Sequence, residues 1–443
     1  MKRPLFFLAL IPLGLWGIFA LPEILAANPG FWDIRRSLII LSGILALWWM
    51  SAGIVLAARP AWLEKRFGGL DKLYRLHKYI GIGSGTLVLT HWMMEWLPKN
   101  LAKMGWIPSR PRGPKGEPNF WIDLAKDVGE WAGYILLALV VIALIRRIPY
   151  RYFRLVHKAF GAIFLAGVFH GLMLLPNSFW LHPLGWLTAA VAAAGVIPAL
   201  LSLSNRIGRK RQHPARIEAI RPHAGQVMEI VCRPQTGWPG HRAGQFLFAD
   251  FGRTGEGAHP FTIASDWNAK DGTLTLAIKA LGDFTNQLSS QLETGQRLIL
   301  EGPYGSFDFL PKNSVDRSNG SGHQIWVAGG IGITPFLARL GELARTNKAQ
   351  QTNGDLFYCT PSRNPGDFPS QLEPLCQAAG IKLHCRQTDQ DGPLSAQEVK
   401  ACLQPTSSVW FCGPAAWGTA LGKSLIAHGL PETAFHREAF EFR

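Results

Sequence analysis

The chain has 443 residues, 48% of them hydrophobic, and a formal net charge of +15 at pH 7. A length of this order predicts two or three domains. The charge does not indicate a nucleic-acid-binding protein, because many basic residues lie in short connections between apolar segments. Near residue 205 the composition changes from strongly apolar to polar, which divides the chain into two halves.

Six segments of the first half are long enough, or nearly so, to cross a bilayer as helices. They cover about residues 5–22, 38–58, 77–97, 128–145, 157–175 and 181–203. Twelve of the seventeen tryptophans lie in this half, many near segment ends, as is typical of interfacial anchors. The pattern predicts a six-helix transmembrane bundle over residues 1–210.

The distribution of basic residues predicts the orientation of this bundle. Arginine and lysine residues fill the connections after the second and fourth segments and follow the sixth, which places these regions and both termini in the cytoplasm. The basic 98–127 connection is an exception on the outer side. The first segment also resembles a signal peptide; we favour an uncleaved span, with cleavage at Ala26-Ala27 as the alternative. All six cysteines lie in the second half without metal-site spacing, as expected of reduced cytoplasmic thiols.

Four histidines lie in two of the apolar segments, His77 and His91 in one, His157 and His170 in the other. Ionisable side chains in membrane helices are usually functional, and neutral imidazole is a common haem ligand. Fourteen residues rise about 21 Å and return to within roughly 40° of one face, which suits haems at two depths. Thirteen residues leave His170 roughly 140° from the His157 face, so that helix needs overwinding or unlike rotamers. The alternative is unrelated histidines packed between helices.

The second half contains two kinds of pattern. From about 214 to 310, short alternating apolar runs punctuated by glycine and proline predict an antiparallel β-barrel. From Gln324 onward, apolar strands alternate with helical stretches, which predicts a parallel, doubly wound α/β sheet. The predicted domains are therefore residues 1–210, 211–318 and 319–443.

Three motifs of this half suit a flat heterocycle and the phosphates of a dinucleotide. His259-Pro260-Phe261-Thr262 offers an aromatic ring and a hydroxyl to a flat heterocycle. Gly282–Thr285 opens an apparent helix whose amides and Thr285 hydroxyl suit a pyrophosphate, with a plain N-cap as the alternative. Gly329–Phe336 follows an apolar strand, and its glycines let the backbone approach a phosphate although it differs from Gly-x-Gly-x-x-Gly.

In their order these motifs, with Glu301–Ser306 and Cys412–Pro414, resemble those of the NADPH oxidase and ferric reductase superfamily. The two histidine spacings also match the haem-binding helices of that superfamily. The resemblance implies two b-type haems, FAD and NADPH as cofactors, with FAD bound by residues 211–318 and NADPH by residues 319–443. It implies that the inner haem is bound by His77 and His157, and the outer haem by His91 and His170.

The resemblance also implies roles for individual residues of the second half. The flavin-binding set is His259, Pro260, Phe261, Thr262, Gly282 and Thr285. The nucleotide-binding set is Gly330, Gly332, Thr334, Pro335, Gly413 and Pro414, with Cys412 beside the nicotinamide. A terminal aromatic residue that stacks on the flavin is either Phe440 or Phe442.

Two further features concern the donor and the acceptor. Thr360 and Arg363, after the second strand of the α/β domain, favour the 2′-phosphate of NADPH, while Asp355 and Asp367 keep NADH open as an alternative. Glu95 replaces a histidine that eukaryotic oxidases of the superfamily carry one turn past the outer ligand. Nearby, Arg36, together with Arg35, could offer positive charge to superoxide or to an outer propionate.

The sequence thus predicts a bacterial-type oxidoreductase of the inner membrane. It would pass electrons from cytosolic NADPH through FAD and two b haems to an extracytoplasmic acceptor, O2 giving superoxide. The alternatives are a ferric-chelate reductase and an electron-relay subunit that docks an acidic periplasmic protein through the basic 98–127 connection. Membrane lipid is an expected partner and nucleic acid is not.

Overall fold

The computed structural model describes residues 2–110, 117–145, 147–148, 150–235, 237–252, 257–310, 322–346, 353–364 and 367–437. The chain forms two compact units. The first comprises Met1–Phe67 and Lys72–Ile207, and the second comprises Gly68–Asp71 and Gly208–Phe442.

The regular structure of the described N-terminal residues is helical. Its helices are α1 (Lys2–Leu15), α2 (Leu21–Ala26), α3 (Phe31–Ala57), α4 (Ala61–Phe67), α5 (Leu70–Lys103), α6 (Phe120–Leu144), α7 (Tyr150–Met173) and α8 (Pro183–Leu203). By length and composition alone, five stretches of the described helices could cross a membrane. They are Pro4–Ala26, Phe31–Ala57, Phe120–Leu144, Tyr152–Met173 and Pro183–Leu203.

Helix α5 contains the third predicted span, residues 77–97, and differs from the other five. It has 34 residues, ample length for a bilayer, but it is much less apolar than the others. Three glycines at positions 81, 83 and 85, together with Ser84, Thr86, Thr90 and His91, lower its mean hydropathy. The predicted six-span count therefore depends on the one helix whose polar residues reduce the signal.

Close packing and one buried hydrogen bond connect the long helices of the first unit. Helix α3 packs against α7 and α8, and α6 runs along α7. Small residues permit close approach, as at Gly195, where a Cβ would overlap the ring of Phe164. The indole N–H of Trp48 donates to the hydroxyl of Thr188 across α3 and α8, at 3.1 Å. Some buried polar atoms of these helices, among them Ser37 Oγ, Trp49 Nε1 and His157 Nδ1, have no hydrogen-bond partner among the described residues.

The second unit begins with a six-stranded antiparallel sheet. Its strands are β1 (Gln212–His223), β2 (Val227–Pro234), β3 (Phe246–Asp250), β4 (His259–Thr262), β5 (Leu274–Lys279) and β6 (Arg297–Tyr304), with α9 (Asp283–Gln291) between β5 and β6. The strand order is β4-β3-β6-β1-β2-β5. A bridge between Ile263 and Leu276 brings the two edges of the sheet together. Apolar side chains such as Ile230, Leu247 and Leu276 form the core of this sheet.

A five-stranded parallel sheet follows, with helices on both faces as predicted. Its strands are β7 (Gln324–Gly329), β8 (Gly354–Thr360), β9 (Ile381–Gln387), β10 (Ser408–Cys412) and β11 (Phe435–Arg437), in the order β11-β10-β7-β8-β9. Its helices are α10 (Thr334–Arg345), α11 (Leu372–Ala379), α12 (Thr388–Asp391), α13 (Ala396–Ala401) and α14 (Ala415–Ala427). Separate apolar cores lie on the two faces, one around Trp326 and Phe336, the other around Val327 and Phe411.

We expect Gly244→Ala to destabilise the protein more than Gly252→Ala. Both glycines have positive φ, +85° and +73° respectively, which disfavours any residue with a Cβ. A Cβ on Gly244 would also overlap the carbonyl oxygen of Phe307, whereas a Cβ on Gly252 would meet nothing within 4 Å. Thermal unfolding of the full chain should show a midpoint at least about 5 °C lower for the Gly244 variant. Equal midpoints would show that the contact with Phe307 relaxes without cost.

Candidate functional site

Helices α5 and α7 bring the four predicted histidines together as two facing pairs. The ring centres of His77 and His157 are 5.9 Å apart, with the ring planes at 72°. Those of His91 and His170 are 6.2 Å apart, at 89°. Two imidazoles that bind opposite sides of one metal ion through bonds of about 2 Å have ring centres about 6 Å apart. Each pair therefore has the separation that a shared metal ion requires.

Hydrogen bonds to helix carbonyls determine which nitrogen faces the partner ring. Three Nδ1 atoms contact backbone oxygens: His77 to Gly53 (2.9 Å), His91 to Ile39 (3.0 Å) and His170 to Ala125 (2.8 Å). Because a carbonyl oxygen can only accept, Nδ1 carries the proton of each neutral ring and Nε2 keeps its lone pair. This is the arrangement that orients metal-binding histidines in proteins.

His157 is held differently from the other three histidines. Its ring lies between Phe153 and Phe160, with centre separations of 5.0 and 4.9 Å. Its Nδ1 is buried and has no hydrogen-bond partner among the described residues. Helix α7 is continuous through both His157 and His170. The thirteen-residue spacing is thus accommodated within one continuous helix, and the Nδ1 atoms of His157 and His170 differ in their hydrogen bonding.

Arg35 and Glu95 form a partly buried charged contact near the second histidine pair, since Glu95 follows His91 by one helical turn. The Arg35 side chain is buried, and its Nε donates to the carbonyl oxygen of Met94 at 2.8 Å. Its Nη2 lies 2.5 Å from the Glu95 carboxylate, which also pairs with Lys99. The predicted residue Arg36 is exposed. The structure therefore brings Arg35, and not Arg36, into contact with the histidine helix α5.

In the second unit, two of the predicted motifs lie side by side. Strand β4, which carries His259, Pro260, Phe261 and Thr262, is an edge strand of the antiparallel sheet. The imidazole of His259 stacks on the ring of Phe284 in the first turn of α9, with centres 3.7 Å apart and planes at 14°. Phe284 lies within the Gly282–Thr285 motif, but the sequence offered no signal for this contact.

The start of α9 shows how the Gly282–Thr285 motif folds. The Thr285 hydroxyl accepts the backbone N–H groups of Leu281 and Gly282, at 2.9 and 3.1 Å, so it serves as a local cap. A Cβ on Gly282 would meet nothing within 4 Å, so the space beside the helix start is open. The N–H groups of the first turn, more than the hydroxyl, are then the groups that suit a phosphate.

The Gly329–Phe336 motif forms the turn between β7 and α10. Gly330 has φ +56° and open space at its Cβ position, while α10 begins at Thr334 with Pro335 in its first turn. A Cβ on Gly332 would overlap the carbonyl oxygen of Cys412. The absence of a side chain at Gly332 therefore brings the turn against Cys412, Gly413 and Pro414, as a joint nucleotide site requires.

The residues predicted to select the nucleotide are separated along β8. Thr360 is its last residue, and Asp355 is five residues earlier, about 16 Å away along an extended strand. Asp355 therefore cannot contact the same ribose as Thr360. Arg363 lies beyond Thr360, but its guanidinium is 2.9 Å from Glu373, which offsets part of its charge. Burial raises the pKa of the adjacent Cys359 to about 12, so this thiol is neutral at physiological pH.

Some of the predicted residues lie outside the part of the chain that the structure describes. The terminal aromatic candidates Phe440 and Phe442 are outside the described residues. Asp367 is described, and its carboxylate accepts the backbone N–H of Asn364 at 2.7 Å. The stacking partner of the flavin therefore stays a prediction, and Asp367 has a local role in its own turn.

Comparison with known families matches both halves of the chain. Residues 42–168 match the ferric reductase like transmembrane component, and residues 214–308 match an FAD-binding domain. Respiratory burst oxidase homolog protein B of Solanum tuberosum is 23% identical over 62% of this chain and 36% of its own length. Ferric reduction oxidase 8, mitochondrial, of Arabidopsis thaliana is 37% identical over 20% of this chain and 13% of its own length. Flavohemoprotein A of Dictyostelium discoideum is 25% identical over 36% of this chain and 39% of its own length.

These matches identify a class of membrane flavoprotein in which a ferric reductase-like helical domain precedes an FAD-binding domain. Two family models thus match parts of both halves of the chain, and the relatives include a respiratory burst oxidase and ferric reduction oxidases, which confirms the predicted resemblance to the NADPH oxidase and ferric reductase superfamily. The chain spans only 39%, 43% and 56% of the lengths of three curated relatives that it matches.

We expect Gly282→Ala to weaken FAD binding without loss of stability. Gly282 has an extended backbone, with φ −162°, which alanine adopts freely, but its methyl group would occupy the open space beside the helix start. FAD affinity, measured by flavin fluorescence titration of the deflavinated protein, should fall about tenfold. Ser289→Ala is the matched control, because Ser289 lies two turns along α9 and bonds only its own helix. Equal affinities of the two variants would remove Gly282 from the flavin site.

Proposed function

We propose that the protein is a transmembrane oxidoreductase of the NADPH oxidase type. It would transfer electrons from cytosolic NADPH, through FAD and two b-type haems, to an extracytoplasmic acceptor, with O2 giving superoxide. The observation that carries the proposal is the presence of two imidazole pairs at 5.9 and 6.2 Å inside a ferric reductase-like helical domain.

The side chains present fit two haems with bis-histidine ligation. His77 with His157 would hold one, and His91 with His170 the other, each through an Nε2 whose lone pair the carbonyl contacts leave free in three of the four rings. When bound, FAD accepts a hydride and haem iron carries one electron at a time, so the two cofactors together convert a two-electron donor into single electrons. The histidine rings, oriented by their carbonyl contacts, would position the haems.

Glycine residues provide the room that the histidines need. A Cβ on Gly43 would lie 3.3 Å from the His91 ring, and a Cβ on Gly129 would overlap the His170 ring. Gly129 is one helical turn beyond Ala125, whose carbonyl oxygen accepts the His170 N–H. A bare backbone at 129 is therefore a condition for the hydrogen bond that orients His170.

In the proposed topology, α5 crosses the membrane together with the five apolar stretches, which makes six spans, and both termini lie in the cytoplasm of a bacterial inner membrane. Hydrogen bonds within α5 lower the free-energy cost of placing its polar residues in a bilayer. The hydroxyl groups of Ser84, Thr86 and Thr90 each donate to the carbonyl oxygen one turn earlier. The α5 histidines donate to α3 in the same way. A helix with its polar groups satisfied in this manner can cross a bilayer despite modest hydropathy.

A ferric-chelate reductase is the second candidate. The match to ferric reduction oxidase 8 supports it, and so does Glu95, which places a carboxylate one turn beyond His91. Because Arg35 is paired with Glu95, its charge is largely compensated at this position. An electron-relay subunit for a periplasmic protein is a third proposal, based on the basic residues of the 98–127 connection.

The acceptor is tested with purified full-length protein, NADPH and air. We expect cytochrome c reduction that superoxide dismutase abolishes, and we expect His91→Ala to remove most of it while flavin reduction by NADPH persists. Fast reduction of a ferric chelate, without any dismutase-sensitive signal, would replace the oxidase proposal with the ferric reductase.

The proposed ligand pairs also predict the number of haems that each chain binds. Pyridine haemochrome quantitation should give two b haems per wild-type chain, and His91→Ala and His157→Ala should each lose at least one of them. One haem or none in the wild type, at full flavin occupancy, would contradict the proposed ligand pairs.

Gly129→Ala should cost about one haem per chain, because its methyl group displaces His170 from the carbonyl oxygen of Ala125. Gly133→Ala is the matched control on the same helix, since a Cβ there meets nothing within 4 Å. Difference spectra and haemochrome assays of the two variants should differ accordingly. Full haem content in the Gly129 variant would show that His170 is not a ligand.

A further inference from the structure

A second group of metal-ligating side chains lies in the parallel sheet. Asp355 comes from β8, His384 comes from β9, and Cys402 directly follows α13. The His384 Nε2 is 2.6 Å from the Asp355 Oδ1, and one donor atom of each of the three residues lies within 4.8 Å of the others. None of the three takes part in the nucleotide site proposed above.

The position of the group separates it from the nucleotide-binding turn. In a parallel sheet the nucleotide binds beyond the carboxyl ends of the strands, where Thr360 ends β8. Asp355 is the second residue of that strand, so it lies at the side of the sheet where the amino ends of the strands are found. A ligand held by Asp355 would not compete with NADPH.

Neighbouring side chains hold two of the three donors in place. The second carboxylate oxygen of Asp355 is 3.0 Å from the Nε2 of His323, whose Nδ1 is 2.9 Å from the Ser407 hydroxyl. His323 and Ser407 are each only 5% exposed. The His384 ring stacks on Phe357, with centres 4.5 Å apart and planes at 12°. Such an outer layer of contacts is what orients the ligands of a metal site.

We propose that Asp355, His384 and Cys402 bind a thiophilic divalent cation of the Zn²⁺ type. Nitrogen, oxygen and sulfur donors together favour Zn²⁺ over Mg²⁺ and Ca²⁺, which prefer oxygen ligands alone. Three protein ligands leave one tetrahedral position for water. His384, with 28% of its side chain exposed, and the half-buried Cys402 provide access from solvent.

Binding requires the three donor atoms to adjust their separations. In a tetrahedral Zn²⁺ site with bonds of about 2.0–2.3 Å, neighbouring donor atoms are about 3.3–3.8 Å apart. The Asp355–His384 contact of 2.6 Å must lengthen, while the Cys402 sulfur already lies within 4.8 Å of both donor atoms. The ion then replaces the hydrogen bond between the two side chains and joins β8, β9 and the end of α13.

The test uses the purified full-length protein with its flavin and haem. After equilibration with Zn²⁺ and dialysis against a weak chelator, elemental analysis should find one Zn²⁺ per chain. Co²⁺ in place of Zn²⁺ should give a near-ultraviolet thiolate-to-cobalt band. Cys402→Ser should abolish that band and weaken Zn²⁺ binding by more than the about 10–100-fold that loss of an outer-layer contact costs.

Cys385→Ser is the matched control, because Cys385 is an exposed thiol next to His384 in β9 whose sulfur accepts a hydrogen bond from Arg363. It should retain one Zn²⁺ and the cobalt band. His384→Ala, with flavin content and thermal unfolding as checks of folding, should lose both. No retained Zn²⁺ in the wild type, or equal retention by the Cys402 and Cys385 variants, overturns the proposal. Neither readout depends on NADPH oxidation, so this outcome is independent of the proposed function.

Discussion

The hydrogen bond from a buried imidazole to a helix carbonyl is the interaction on which the first unit depends. An imidazole in an apolar helix is costly unless its N–H has an acceptor, and water is not available there. The carbonyl oxygens of Gly53, Ile39 and Ala125 meet that need and also determine which nitrogen faces the partner ring. The same contact that makes burial tolerable therefore prepares each ring as a ligand.

The second unit obeys a different constraint, which is close approach of backbone to backbone. Gly332 lies against the carbonyl oxygen of Cys412. The turn after β7 can approach the end of β10 this closely because Gly332 has no side chain. Ile331 in the same turn packs against Val227 and Ala277 of the antiparallel sheet. The turn is thus anchored on both sides, and the two sheets of this unit share a contact beside the candidate nucleotide site.

Periodic and composition signals predicted most of the architecture, and contacts between distant residues explain what they missed. The histidine spacings and the glycine-rich turns depend on residues near one another in sequence, so they could be recognised. The carbonyl acceptor for His91 is 52 residues away, and the Phe284 ring that stacks on His259 is brought there by the sheet. Arg35 and Arg36 are adjacent in sequence but point to different sides of α3, a distinction that composition cannot make. Asp355, His384 and Cys402 have no spacing that resembles a metal motif.

The acceptors on α3 have a mechanical consequence. His77 bonds to Gly53 and His91 to Ile39, so two residues fourteen apart on α5 meet two residues fourteen apart on α3, in reverse order. The two helices are therefore in register along about 21 Å, roughly the thickness of most of the hydrocarbon core. Sliding α3 by a single turn would break both bonds at once. The two histidine rings on α5 are consequently coupled through α3. A displacement of α3 along its axis would disturb both rings together, at both depths of the membrane.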